Sequence, residues 1–183
     1  MKIRISSFII AVTNLLASCE AIEAEPSMNE DDWLNVNIVT GVRMNDLNGS
    51  PIGQVGNPNI KNDDFTIFPN PAQNVISLIG QNNVAEIFIS PASKLDSFRN
   101  VNFDEELADI EYSVEEIVTP TTFRLSFDSV IQVVNLNISD FPTGYYRIFI
   151  NENQGDEFQW ENIYIDNENT YPALIDSLVA DWN

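Results

Sequence analysis

Carboxylates are the only abundant reactive side chains in this sequence. Its 183 residues include 28 aspartates and glutamates against 8 lysines and arginines, with no histidine, one cysteine and a formal net charge of −20. The lack of histidine removes the usual general base, the usual zinc and iron ligand, and every Ser-His or Cys-His nucleophile pair. One cysteine forms no intrachain disulfide and no thiolate cluster. What remains is paired-carboxylate chemistry or binding of a hard cation. Glu105, Glu106 and Asp109, or Glu115 and Glu116, are the densest acidic groups. A glycosidase needs two carboxyl groups roughly 5 to 9.5 Å apart across a cleft, and adjacent residues on a strand, such as Glu115 and Glu116, point to opposite faces. With acids this abundant, solvation accounts for most of them, so the chain is read as non-enzymatic, with a small carboxylate-dependent hydrolase as an alternative. Asp104, Glu105, Glu106 and Asp109 are candidate ligands for weakly held calcium, because closely spaced carboxylates suit a hard cation. The plain alternative is a solvated loop without cofactor. The same acidic balance repels phosphate backbones and anionic headgroups, which excludes nucleic acid as an expected partner.

The elements that carry these groups begin with a leader. Residues 1–19 have Lys2 and Arg4, an apolar run around residues 8–12 with Leu15 and Leu16, and then Leu16-Ala17-Ser18-Cys19. The run is too short to span a bilayer with its flanks. Its end resembles the bacterial lipobox, in which a signal peptidase recognises positions such as Leu16, Ala17 and Ser18, and the cysteine, here Cys19, is lipidated and starts the mature chain. Residues 1–18 are therefore expected to be a lipoprotein signal peptide. Acyl chains worth about 0.8 kcal/mol per buried methylene would hold the protein on a membrane. Residues 19–32 hold Glu20, Glu23, Glu25, Glu30, Asp31 and Asp32 with no base, which predicts a disordered acidic tether. An acidic stretch directly after the cysteine resembles the display signal of outer-membrane lipoproteins in the bacterial phylum that uses type IX secretion. That implies the cell surface, the alternative being a linker on the periplasmic face.

Residues 33–63 read as one strand and a loop. Leu34, Val36 and Ile38 alternate with Asn35 and Asn37 within residues 33–44, and residues 45–62 are rich in Gly, Pro and Asn. Asp46 offers a side-chain cap and Gly49 a positive φ. Asp46 and Asn48 match the first positions of a calcium loop whose later ligands are missing, so a turn is predicted. From Asp64 onward strands recur at about ten-residue intervals, the spacing of a sandwich. They are placed near residues 65–68, 74–79, 84–90, 110–118, 122–127, 131–138, 144–151 and 158–165. Pro69 and Pro71 each fix φ and lack an amide hydrogen, so residues 65–79 predict a corner between two short strands. Trp160 is in phase with Phe158 and Tyr164, which assigns it to the core rather than to an exposed glycan-stacking platform. Residues 167–183 differ: Leu174, Ile175, Leu178, Val179 and Trp182 share one helical face, predicting a helix over residues 172–182 packed on a sheet edge or face. The expected fold is all-β, an antiparallel sandwich of about seven to nine strands with Ig-like, Greek-key character, closed by a short amphipathic helix.

Phe65-Thr66-Ile67-Phe68-Pro69-Asn70-Pro71-Ala72 resembles the opening of type IX secretion C-terminal sorting domains, where an apolar strand runs into a Pro-Asn-Pro turn. VNLNISDFPTGYYRIFI, residues 134–150, resembles the second signature of that family, a Pro-Thr-Gly turn leading into an aromatic strand. The resemblance spans residues 64–166 and implies a compact antiparallel sandwich in which Phe68, Pro69, Asn70, Pro71, Pro142, Gly144 and Tyr146 have structural roles. Three departures separate the fold from the sorting role: the chain runs on to Asn183, the basic residues that close the family's last strand are missing, and the lipobox provides another route. The expectation is a surface-exposed, lipid-anchored protein whose sandwich is a structural or interaction module with an envelope or surface protein partner. A glycan- or peptide-binding lipoprotein, with its site in loops at one end, is the alternative.

Overall fold

Two stretches of this chain, VAEIFIS and GYYRIFINE, have almost no polar alternation, and such strands are stable only where both faces are covered. They are the two central strands. The computed structural model describes residues 36–60, 64–95, 99–106, 111–113, 117, 123–128, 131–152, 157–168 and 173–183. Its strands are β1 (Val36–Ile38), β2 (Val42–Asn45), β3 (Pro51–Val55), β4 (Phe65–Gln73), β5 (Val75–Gly80), β6 (Val84–Lys94), β7 (Glu111–Ser113), β8 (Phe123–Ser126), β9 (Val133–Asn137), β10 (Gly144–Glu152) and β11 (Glu157–Ile165). Its helices are α1 (Phe103–Glu106) and α2 (Ala173–Asp181).

β6 pairs antiparallel with β10, and β10 with β11, so that Ile89, Ile148 and Glu161 lie side by side across the sheet. β8 and the parallel β1 lie along the outer side of β6. One face of this central sheet packs on a smaller sheet formed by the first half of β4, then β5 and β9. Ile87, Ile89, Tyr146, Ile148, Ile150, Ile163 and Ile165 meet Phe65, Ile67, Ile76, Leu78, Val134 and Leu136 there. Strand alternation sends the intervening residues to the other face. On that side Phe88, Phe149, Phe158 and Trp160 pack with Ile117, while Tyr145, Tyr164 and Ala92 lie beneath Ile38, Val42, Met44, Val55 and helix α2. The chain is thus all-β with a small C-terminal helix, and α2 is a third layer over a sheet face.

The helix docks through Leu174, Leu178 and Trp182, which are buried. The Trp182 indole N–H donates to the Tyr145 hydroxyl at 3.1 Å, and Lys94 Nζ donates to the Asp181 carbonyl at 2.6 Å, satisfying one of the orphan acceptors of the helix end. Val179, expected on the buried face, is 39% exposed. Its position at the margin of the stripe leaves it beyond the reach of the sheet.

Four further points differ from the sequence reading. Residues 36–45 form two strands, because the chain turns at Thr40 and Gly41, where a Cβ on Gly41 would stand 1.7 Å from the Val55 carbonyl oxygen. The stretch read as loop, residues 45–62, contains β3, which pairs antiparallel with β2. Asp46 does form the expected turn between them, its Oδ1 accepting the Asn48 and Ser50 amides at 2.8 Å, with Gly49 at φ 79°. The Pro-Asn-Pro segment, expected as a corner between two short strands, lies within one strand: β4 continues through it with a shift of register, and the hairpin turn to β5 falls at Asn74, φ 56°. Finally, two pairings are parallel, β1 with β6 and β4 with β11, so the sheets are only mostly antiparallel.

Because Leu178 is sealed against the sheet and Val179 is not, Leu178→Ala should lower unfolding free energy by about 2–5 kcal/mol and Val179→Ala by less than about 1 kcal/mol. Urea titration of the two variants checks this, and equal costs would contradict the packing of α2.

Candidate functional site

β4 takes three partner strands within nine residues, and Asn70 is the point on which it turns. Phe65 to Phe68 pair with β5, Asn70 then pairs with Asn45 of β2, and Ala72 with Ile165 of β11. Pro69 and Pro71 bring no N–H to any ladder, and the Phe68–Pro69 and Asn70–Pro71 peptide bonds are cis. The Asn70 side chain, fully buried, does the pairing instead. Its Oδ1 accepts the Tyr164 amide at 3.0 Å, and its Nδ2 donates to the Arg43 carbonyl at 2.6 Å and the Asn162 carbonyl at 3.3 Å. Asn59 Nδ2 likewise donates to the Trp160 carbonyl at 3.1 Å. β7 pairs with β11 at residues 157–159 and β4 at residue 165, so side-chain amides occupy the edge between them.

The residues that line this seam form one buried polar network. Asn162 Nδ2 donates to Thr40 Oγ1 at 2.7 Å and to the Gly41 carbonyl at 3.1 Å, and its Oδ1 accepts from Arg147 Nε at 2.9 Å. The Arg147 guanidinium lies 3.9 Å from the centroid of the Trp160 ring, a desolvated cation–π contact. Arg43 makes a two-point ion pair with Glu161, Nε to Oε1 at 2.7 Å and Nη2 to Oε2 at 2.6 Å. Glu161 is 2% exposed. Burial pushes its carboxyl above the ordinary 4.5, and the Arg43 guanidinium opposes that shift without cancelling it. Asn70, Asn162, Arg43 and Glu161 find their hydrogen-bond partners within the protein, so the seam works as a structural lock.

Of the motif residues, Asn70 is therefore structural, flanked by the half-buried Pro69 and Pro71. Phe68 lies against Gly49 of the β2–β3 turn, where a glycine Cβ would stand 3.2 Å from its ring. Tyr146 donates its hydroxyl to the Pro142 carbonyl at 2.7 Å, pinning the turn ahead of β10 in the manner of a tyrosine corner. Gly144 opens β10, and a Cβ there would meet nothing within 4 Å, so no close approach explains it.

A groove of about 760 Å³ lies beside this corner, lined by Leu47, Ile52, Pro69, Pro71 and Val75 with amide and hydroxyl side chains and no lysine or arginine. Leu47 is 78% exposed. Its two carboxylates are engaged: Asp46 caps its turn, and Asp166 accepts from Gln73 Nε2 at 3.2 Å. The groove runs onto the outward face of the β4–β5–β9 sheet through Val75 and Ser77.

The remaining expectations are placed as follows. Asp104 and Glu105 are exposed on α1, whereas Asp109 and the side chain of Glu106 lie outside the described residues, as do Glu115 and Glu116. Among the described residues no group of three acidic, cysteine or histidine side chains is gathered for a metal. Cys19 with Leu16, Ala17 and Ser18, the acidic tether and Trp33 also lie outside them. No helix among the described residues is long and apolar enough to cross a membrane. Trp160 and Trp182 are buried, so neither presents a ring for sugar stacking. Arg43, Thr40, Asn59, Arg147, Glu161 and Asn162 were not anticipated. The one signal for them is polar residues interrupting runs otherwise read as core, Arg147 in YYRIFI and Glu161-Asn162 in WENIYI.

Comparisons with protein-family models, with curated proteins and with solved structures found no match.

Removing the Asn70 amide would take away the hydrogen bonds of the buried Tyr164 N–H and Asn162 carbonyl, each loss costing about 1–3 kcal/mol. Asn70→Ala should thus destabilise by at least about 2 kcal/mol in urea titration, and a loss below about 1 kcal/mol would show that the edge is solvated. For Glu161 the folded pKa is raised, so its contribution to stability is greatest below the ordinary 4.5 and declines as pH rises through the raised value. Glu161→Gln removes that decline. The stability of wild type minus that of the variant should fall between pH 5 and pH 8, and a difference that stays flat or rises would refute the assignment.

Proposed function

We propose that this chain is a non-enzymatic lipoprotein, anchored to the outer membrane through Cys19 and displayed on the cell surface, whose sandwich is a protein-interaction module akin to type IX secretion sorting domains. The contact surface is the groove at the Pro-Asn-Pro corner together with the outward face of the β4–β5–β9 sheet. One observation supports this reading above others: β4, β5 and β9 contain no charged residue, in a chain with 20% charged residues. Their outward face is solvent-exposed, with Val75, Ile79 and Val133 at 47, 43 and 55%. Solvent-facing sheet surfaces are ordinarily dressed with charge, whereas this face sets the exposed Ile79–Val133 pair and Val75 among Ser77, Asn135 and Asn137, and exposed apolar groups without charge favour contact with another molecule. Depletion of charge with retained amides and aliphatics is the composition of an interface centre. The lipid anchor and the compartment rest on Leu16-Ala17-Ser18-Cys19 and the acidic stretch that follows. The non-enzymatic reading rests on the lack of histidine and on the engagement of the groove carboxylates in structure.

Cys19→Ser should abolish incorporation of radiolabelled palmitate and release the protein from membranes, and protease added to intact cells should degrade the wild-type protein. Protection until the outer membrane is broken would place it in the periplasm. Ile79→Lys combined with Val133→Lys should shift the melting temperature by no more than about 3 °C, since both side chains are exposed. The same pair should move the protein to a smaller species on native gels of mildly solubilised membranes. Unchanged migration would remove the interaction surface.

A further inference from the structure

We propose that the groove at the Pro-Asn-Pro corner takes an extended segment of a basic partner protein, its apolar side chains on the groove floor and its lysines or arginines on the carboxylate rim; this rests on the interaction reading above and names the partner's chemistry. Apolar exposure is concentrated here. Of the seven large apolar side chains exposed among the described residues, Leu47, Ile52 and Val75 line the groove, and Ile79 and Val133 continue it along β5 and β9. Val75, Ser77 and Ile79 share one face of β5 at steps of about 7 Å, the pitch at which an extended chain presents alternate side chains. A segment laid along them meets the face in step.

Charge fixes the sign of the segment. Asp46 uses only Oδ1 for its turn, which leaves Oδ2 at the groove wall without a hydrogen-bond partner. At the β4–β5 turn, Asn167 clamps the groove residue Asn74 to the chain ahead of β10: its Oδ1 accepts the Asn74 amide at 2.9 Å, and its Nδ2 donates to the Ile138 and Phe141 carbonyls at 2.6 and 2.8 Å. The exposed Asp140 and Glu168 flank that clamp, and no lysine or arginine lines the groove. An uncharged or acidic segment would strip water from the Asp46 carboxylate and put nothing in its place. A guanidinium or ammonium supplies both counter-charge and donors. The −20 of the whole chain adds a long-range attraction for cations and turns acidic competitors away.

Fluorescence anisotropy on the full-length Cys19→Ser chain, free of detergent, tests this with labelled peptides of about ten residues that alternate Lys-Leu, Glu-Leu or Lys-Ser. The Lys-Leu peptide should bind at least about tenfold more tightly than either of the others, and raising NaCl from about 20 mM to about 300 mM should weaken it at least about fivefold. Asp46→Asn keeps the oxygen that caps the turn and removes the charge. Combined with Glu168→Gln it should weaken binding at least about fivefold, whereas Asp104→Asn with Asp176→Asn, the same loss of charge on the helices, should weaken it less than about twofold. Leu47→Ser with Ile52→Ser should weaken it at least about tenfold, since both side chains are exposed in the groove and neither supports the core. Equal binding of the Lys-Leu and Lys-Ser peptides, or equal losses from the two charge-removing pairs, would show diffuse attraction to an acidic surface and overturn the proposal. Tighter binding of the Glu-Leu peptide overturns the basic partner while leaving the groove a contact surface. Binding of none of the three overturns the basic segment, and the contact surface then stands or falls by the native-gel shift of Ile79→Lys with Val133→Lys.

Discussion

A buried peptide edge must find partners, and in this protein the edge of β11 finds them in side chains. Between the short β7 and the tail of β4, its Trp160 and Asn162 carbonyls and Tyr164 amide point into space that no described strand fills. Left unpaired in a dry interior they would each cost as much as a well-made hydrogen bond contributes several times over. Asn70 and Asn59 supply the missing donors and acceptor. Asn70 is suited to this because an amide side chain carries the same donor and acceptor groups as a peptide. The prolines on either side of it remove two backbone donors that would otherwise compete for the same acceptors. The same side chain holds Arg43 of β2 in place, so the N-terminal hairpin, β4 and β11 are joined at one residue.

This seam also explains how so acidic a chain tolerates charge in its interior. Glu161 and Arg147 both lie on strands that are otherwise core, and each is matched: Glu161 by the two nitrogens of Arg43, Arg147 by the Asn162 amide oxygen and the face of Trp160. Buried ions are costly unless so matched, and their return is the selection of one register over its neighbours rather than large net stability. A slip of one residue in the β10–β11 pairing would move Arg147 into the isoleucine layer. The central sheet has two apolar faces and needs cover on both. The small sheet covers one, and the hairpin β2–β3 with α2 covers the other.

The small sheet is free of charge, whereas exposed charged residues lie on the helices, on β8 and β11 and in loops, as at Asp104, Asp176, Arg124, Glu157 and Asp140. A −20 surface keeps copies and other acidic molecules apart, and a neutral face is where such a molecule can touch another without that penalty. The interaction reading draws on this contrast, whose origin is composition and whose location is tertiary.

The sequence by itself determined the all-β class, the order of the strands from residue 65 onward, the spans of β5, β8, β9, β10 and β11 to within two residues at each end, the core placement of Trp160 and the amphipathic helix at the end. These are local properties, because period-two and period-3.6 patterns are printed in neighbouring residues. It also marked Pro69-Asn70-Pro71 as a place of consequence, but as a corner between two short strands. Only the tertiary structure decided that β4 runs through that segment and that Asn70 closes the edge of β11, since its partners, the Asn162 carbonyl and the Tyr164 amide, lie more than ninety residues away. The split of residues 36–45 at Gly41 and the existence of β3 were equally hidden, because a glycine-rich stretch looks like loop until a partner strand is present to pair it. The groove and the neutral face belong to the same category. No strand declares which of its faces will be left uncovered until the sheets have stacked, and that choice is made by residues far apart in the chain.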